Sequence, residues 1–190
     1  MLDRDIRLSV ERELRRIHGE EPGTLYRHEL GLCMGGTRVD VAAINGQITG
    51  CEIKSARDKL DRLSRQVELY DRVLDCAVLV VEGKHTEKAS GLLPEHWGVW
   101  LATATADGTA RLEVIRESSI NSHVEPLAVA QLLWRAEAMD ELRVRGKARG
   151  LSNKSRWYVW DRLVDELPLA ELQLVTRERL KARREWPGGR

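Results

Sequence analysis

Asp40, Glu52 and Lys54 are charged residues in two stretches, RVDVAAI and QITGCEIKS, that otherwise read as β-strands. Alternation puts Glu52 and Lys54 on one face of the second stretch and Cys51 and Ile53 on the other. On the preceding strand Val39, Val41 and Ala43 form the matching apolar set, leaving Asp40, Ala42 and Ile44 on the face of Glu52. Register decides whether the acids meet. A two-residue Asn45-Gly46 turn sets Asp40 opposite Cys51, whereas a three-residue turn or a bulge at Gly50 sets it opposite Glu52 and pairs Ala42 with Gly50. In the second case two carboxylates converge, the donors a hard cation such as Mg²⁺ (or Mn²⁺) prefers, with the Ile53 carbonyl as natural third ligand. Lys54 would then orient an attacking water or neutralise charge developing on a phosphate. The plainer alternative is a salt bridge across the sheet face, with Glu52 paired to Lys54 or Arg38.

These residues need a scaffold, and the patterning supplies one. Ile6, Val10, Leu14 and Ile17 predict an amphipathic helix over residues 3–18, closed by Gly19, before Pro22 and Gly23 break the chain. Strands over 25–32, 38–44 and 47–55 form a meander, the first two joined by CMGG. If CMGG is a four-residue loop, Glu29 faces Asp40 and adds a third acid. Leu60, Leu63, Val67, Tyr70 and Leu74 predict a second helix within ARDKLDRLSRQVELYDRVLD, and Gln66 and Tyr70, four apart, share one of its faces. CAVLVV reads as a strand buried on both faces and parallel to the one before the helix. A further strand pair turns at Asp107-Gly108, and from about Pro126 the pattern is helical throughout. The expectation is an α/β domain over 1–125, a mixed sheet flanked by helices, followed by a helical region over 126–190.

The spacing D-x(11)-E-x-K, with these elements in this order, resembles the signature of the PD-(D/E)xK nuclease superfamily, whose fold is restriction-endonuclease-like; Val39 stands at its proline position. The wording RVDV…EIKS is also similar to a small group of mostly uncharacterised bacterial proteins, and QVELY resembles the Q-x(3)-Y element of RecB-type nucleases. The resemblance covers residues 1 to about 125 best. It implies an Mg²⁺-dependent deoxyribonuclease, acting in repair, restriction or phage defence. Asp40, Glu52 and the Ile53 carbonyl would hold the metal, Lys54 would act on water or phosphate, and Glu29, Gln66 and Tyr70 would assist. The superfamily often takes its auxiliary acid from the first helix, which leaves Glu11 and Glu13 as alternatives to Glu29. The alternative class is a non-catalytic nucleic-acid-binding or interaction module on the same fold, against which the intact Asp-Glu-Lys set argues.

Composition bounds the rest. A chain of 190 residues, 42% of them hydrophobic, can bury a real core. With 31 Lys and Arg against 30 Asp and Glu it has no strong overall field, so contact with a polyanion must come from local patches. The run RVRGKARGLSNKSR holds Arg143, Arg145, Lys147, Arg149, Lys154 and Arg156 without an acid, and with the basic helix from Arg177 to Arg184 it is the best place for phosphate contacts. Trp134, Trp157, Trp160 and Trp186 read as core of the helical region, and no histidine spacing suggests a metal site. Cys33, Cys51 and Cys76 form no CxxC pair, and no apolar run is long enough for a membrane helix, so a cytoplasmic protein is expected. DNA is the expected partner, RNA is not excluded, and the oligomeric state stays open, a homodimer among the options.

Overall fold

The computed structural model describes residues 3–18, 23–106 and 108–186, excluding the side chains of Asp3, Lys84 and Glu87. Gly19, Pro22 and Asp107, expected to mark a helix end, a break and a turn, lie outside the described residues. The chain divides into two compact units, Met1–Val124 and Glu125–Arg190.

The first unit is a mixed α/β layer structure. Its elements in order are α1 (Asp3–His18), β1 (Leu25–Leu32), β2 (Thr37–Ile44), β3 (Ile48–Lys54), α2 (Leu63–Asp71), β4 (Cys76–Glu82), α3 (Thr86–Ser90), β5 (Gly98–Ala104) and β6 (Ala110–Arg116). The strands form one sheet in chain order. β1, β2 and β3 are a meander, β3, β4 and β5 run parallel, and β6 returns antiparallel on β5. The apolar run of β4 lies at the centre, buried from Cys76 to Val81 as a strand covered on both faces must be. On one face Ile6, Val10 and Leu14 of α1 pack with Val41, Ala43, Cys51, Ile53, Val78, Val80 and Trp100.

Local chemistry shortens the second helix. Asp58 accepts from the Ser55 backbone N–H (2.7 Å) and hydroxyl (2.6 Å), and Glu82 accepts from the Ala56 N–H. These bonds hold residues 55–58 in a turn that competes with helix. α2 therefore begins only at Leu63, although Leu60 is still buried. Gly50 has a packing reason: a Cβ there would meet Leu74 Cδ1 at 2.5 Å and Val39 Cγ2 at 3.0 Å.

The second unit contains α4 (Pro126–Ala130), α5 (Arg135–Val144), α6 (Arg156–Glu166) and α7 (Leu169–Ala182). The helical pattern of LAVAQLLWRAEAMDELRV is interrupted before α5. Trp134 is extended there and its N–H donates to the Glu137 carboxylate at 2.7 Å, a start signal inside the run. Of the tryptophans expected in the core, Trp160 is 2% exposed, whereas Trp134 and Trp157 are 42% and 47% exposed.

Candidate functional site

Turn lengths set the register around Asp40. Ile44 pairs with Ile48 across Asn45, Gly46 and Gln47, closed by Asn45 N–H to the Gln47 carbonyl (3.0 Å) and Gln47 N–H to Asn45 Oδ1 (3.1 Å). This is the three-residue turn, and Ala42 faces Gly50. Leu32 pairs with Thr37 across Cys33–Gly36, so Glu29 lies across from Asp40, with a left-handed backbone at φ +54°. The β2/β3 pairing ends at Val41–Cys51, and beyond it Asp40 Oδ2 accepts the Ile53 N–H at 2.8 Å. Asp40 is a side-chain acceptor for the backbone where the two strands part.

Glu52 is 3% exposed and Lys54 7% exposed, which a charged pair tolerates only with its hydrogen bonds made. Lys54 Nζ donates to Glu52 Oε1 at 2.6 Å and to Gln66 Oε1 at 2.9 Å, while Gln66 Nε2 donates to Glu52 Oε1 at 2.5 Å. The Tyr70 hydroxyl meets Glu52 Oε2 and also the Arg38 carbonyl at 2.7 Å, one proton serving two acceptors. Burial first, then the charge of Glu52, pushes Tyr70 ionisation far above its ordinary range, so it remains a phenol. Its ring stacks on buried Trp97 with centroids 5.9 Å apart. α2 thus closes over β3 through Gln66 and Tyr70.

Arg7 of α1 is the residue that sequence reasoning missed. Its guanidinium bridges the two other acids, Nη1 to Glu29 Oε1 at 2.5 Å and Nη2 to Asp40 Oδ1 at 2.9 Å. The only signal was its place one residue beyond the core position Ile6, at the border of the apolar face of α1. Glu11 and Glu13, the alternative acids, are engaged elsewhere: Glu11 with Arg15 (2.7 Å) and His28 (2.6 Å), Glu13 with Arg16 (2.7 Å).

Glu29, Asp40, Glu52, the Ile53 backbone, Lys54 and Gln66 all border one cleft of about 440 Å³, rimmed by Arg38, Arg62 and Arg65, while Tyr70 is buried behind Glu52. The groups that would hold Mg²⁺ or Mn²⁺ are Asp40, Glu52 and the Ile53 carbonyl. The carboxylates are already committed, Asp40 to Arg7 and the Ile53 N–H, Glu52 to Lys54, Gln66 and Tyr70. Among the described residues, no three His, Cys, Asp or Glu side chains are placed to hold a metal ion. The arrangement is a closed network of charge-assisted hydrogen bonds tying α1, β2, β3 and α2 together.

The sequence model of the family described as Bacteriophage P4 protein cII matches residues 11–185. The chain belongs to that family. Membership in the cII family corrects the identification with PD-(D/E)xK nucleases, and with it the expectation of an Mg²⁺-dependent deoxyribonuclease. The physical reason for the mistaken reading is that D-x(11)-E-x-K fixes which side chains border a cleft but not what binds them, and here Arg7 and Lys54 hold the acids. No curated protein gives a significant match. A solved structure, the SPO1766 protein of unknown function from Silicibacter pomeroyi, is similar at 20% identity with a TM-score of 0.42, over 74% of this chain and 89% of that one.

The basic run divides into two groups. Arg143 pairs with Asp140 at 2.6 Å, Arg145 with Glu141 and Glu171, each at 2.7 Å, and Lys147 with Glu166 at 2.9 Å. In the basic helix Arg179 pairs with Glu141 and Arg183 with Glu137, so these cations tie the second unit together. Arg149, Lys154 and Arg156 are exposed, and among the described residues no acid pairs with them. Arg135 props up the loop that carries Arg149 and Lys154 and leads into Arg156 at the start of α6, donating to the carbonyls of Leu151 (3.1 Å), Ser152 (2.7 Å) and Lys154 (3.0 Å).

Proposed function

We propose that this cII-family chain is a non-catalytic DNA-binding module and that Arg149, Lys154 and Arg156 are its principal phosphate contacts. The observation that carries this reading is the split within the basic run: three cations are paired with acids of their own unit, whereas Arg149 and Lys154 on a braced loop and Arg156 at the start of α6 are exposed with no acid paired to them among the described residues. A chain of near-zero net charge gains affinity for a polyanion only through such a local surplus. The family description, a bacteriophage protein, is in keeping with a role directed at DNA. On this reading the cleft is a structural keystone, in which the Asp-Glu-Lys set ties strands and helix together.

Among the described residues no helix is long and apolar enough to cross a membrane. We read the setting as reducing and cytoplasmic because Cys33, Cys51 and Cys76 form no disulfide. Fluorescence anisotropy with labelled DNA at several salt concentrations tests the proposal. Lys154→Glu with Arg156→Glu should lower affinity at least tenfold and flatten the salt dependence, whereas Arg143→Glu should have the smaller effect. Equal effects of the two changes would remove the assignment.

A further inference from the structure

The same loop runs into two aromatic side chains that the core does not absorb. Trp157 and Tyr158, in the first turn of α6, are 47% and 51% exposed, a large apolar area for a soluble surface. The Trp157 ring is held in place. Trp157 packs edge-on against Trp160, centroids 5.4 Å apart at 88° between planes, and Trp160 is buried and anchored by its indole N–H to the Leu133 carbonyl at 3.1 Å. Ser155 caps the helix by accepting from the Tyr158 N–H, which fixes the turn that carries both rings.

Each exposed ring also has a cation over one face, which leaves the other face for a base. Lys154 Nζ lies 5.1 Å from the Tyr158 ring centre, and the Arg156 guanidinium lies 5.8 Å from Trp157 and 5.6 Å from Trp160. A stacking face next to a positive charge complements a single nucleotide, whose base and phosphate are one sugar apart. Duplex DNA buries its base faces in the stack and offers only phosphates and groove edges, so it would engage the cations and leave the rings unused.

We infer that the surface formed by Lys154, Arg156, Trp157 and Tyr158 binds single-stranded DNA, stacking unpaired bases on the two rings. This inference rests on the DNA-binding reading above and specifies the form of the DNA. The binding needs no metal and makes no covalent bond, and stacking reads no base edge, so sequence preference is weak.

The test uses the full chain and a fluorescein-labelled dT20, compared with a labelled 20-base-pair duplex and with rU20, all by anisotropy. We expect dT20 to bind more tightly than either. Trp157→Ala should weaken dT20 binding roughly 5- to 100-fold and duplex binding less than twofold, while Trp157→Phe keeps most of the affinity. Tryptophan quenching by dT20 should fall in Trp157→Phe although anisotropy still reports binding, a readout that a purely structural role for Trp157 would not move. Equal binding of dT20 and duplex, with Trp157→Ala neutral and the charge reversals still harmful, overturns this inference and leaves the DNA-binding reading standing. Preference for rU20 overturns the commitment to DNA, and no binding to any probe overturns both.

Discussion

Removing the ammonium of Lys54 should destabilise the sheet unit by about 3 kcal/mol, because it strips a buried carboxylate of its counter-charge. The magnitude follows from the geometry. Lys54 Nζ and Glu52 Oε1 are 2.6 Å apart, with side-chain exposures of 9% and 4%. At an effective dielectric constant of about 20 their gross attraction is about 6 kcal/mol. Desolvating the two ions costs several kcal/mol, so the intact pair is worth little net, while half of it is costly. In Lys54→Met the Glu52 carboxylate still accepts from Gln66 and Tyr70, which keeps the loss at the lower end of the 3–5 kcal/mol typical of a broken buried pair. Glu52→Gln should cost a similar amount by stranding Lys54, and the double substitution should cost clearly less than the sum, a coupling of about 2 kcal/mol. The assay is native-state hydrogen exchange of the β3 and β4 amides, which reports the sheet unit without assuming that both units unfold together. A Lys54→Met loss below about 0.5 kcal/mol, the scale of an exposed ion pair, would refute the keystone argument.

Asp40 should be needed as an acceptor more than as a charge: Asp40→Ala strands the Ile53 N–H and should cost about 1–3 kcal/mol, while Asp40→Asn recovers part of it, as thermal unfolding would show. Glu11 should contribute pH-dependent stability. Burial raises its pKa, but hydrogen bonds from Arg15 and His28 and their charges outweigh this and hold it below the ordinary 4.5. A depressed folded pKa gives stability that is present above 4.5 and is lost as pH falls through the folded value, so the deficit of Glu11→Gln at pH 7 should shrink in acid; a deficit that is constant with pH in urea titrations would contradict this.

The strands were legible because their signals are local. Val78, Leu79, Val80 and Val81 form a run that only a doubly covered strand can use, whereas the sequence left a two-residue and a three-residue turn after β2 open, and the pairing of Ile44 with Ile48 selects the second. Helix ends were less so: Asp58 and Glu82 capture backbone N–H groups ahead of α2, and Glu137 starts α5 inside an apolar run, choices that periodicity does not encode. The candidate site was half legible. Sequence alternation predicted Glu52 and Lys54 on one face with Asp40 near them, and the structure lines one cleft with all three. It gave no view of Arg7, because the reach of that side chain to Glu29 and Asp40 depends on how α1 lies on the sheet. Likewise the spacing of Trp157 and Trp160 suits a core face, and only the packing of the second unit leaves one of them outside.

On the proposed function the chain holds DNA without cutting it. The direct measurement is to incubate the purified protein with labelled single-stranded oligonucleotide and with supercoiled plasmid, in Mg²⁺ and separately in Mn²⁺, at protein concentrations that saturate binding, and then to strip the protein and size the DNA. The expected result is DNA that was shifted while bound and is recovered full length and unnicked. Cleavage products that appear with the wild type and vanish with Asp40→Ala would contradict it.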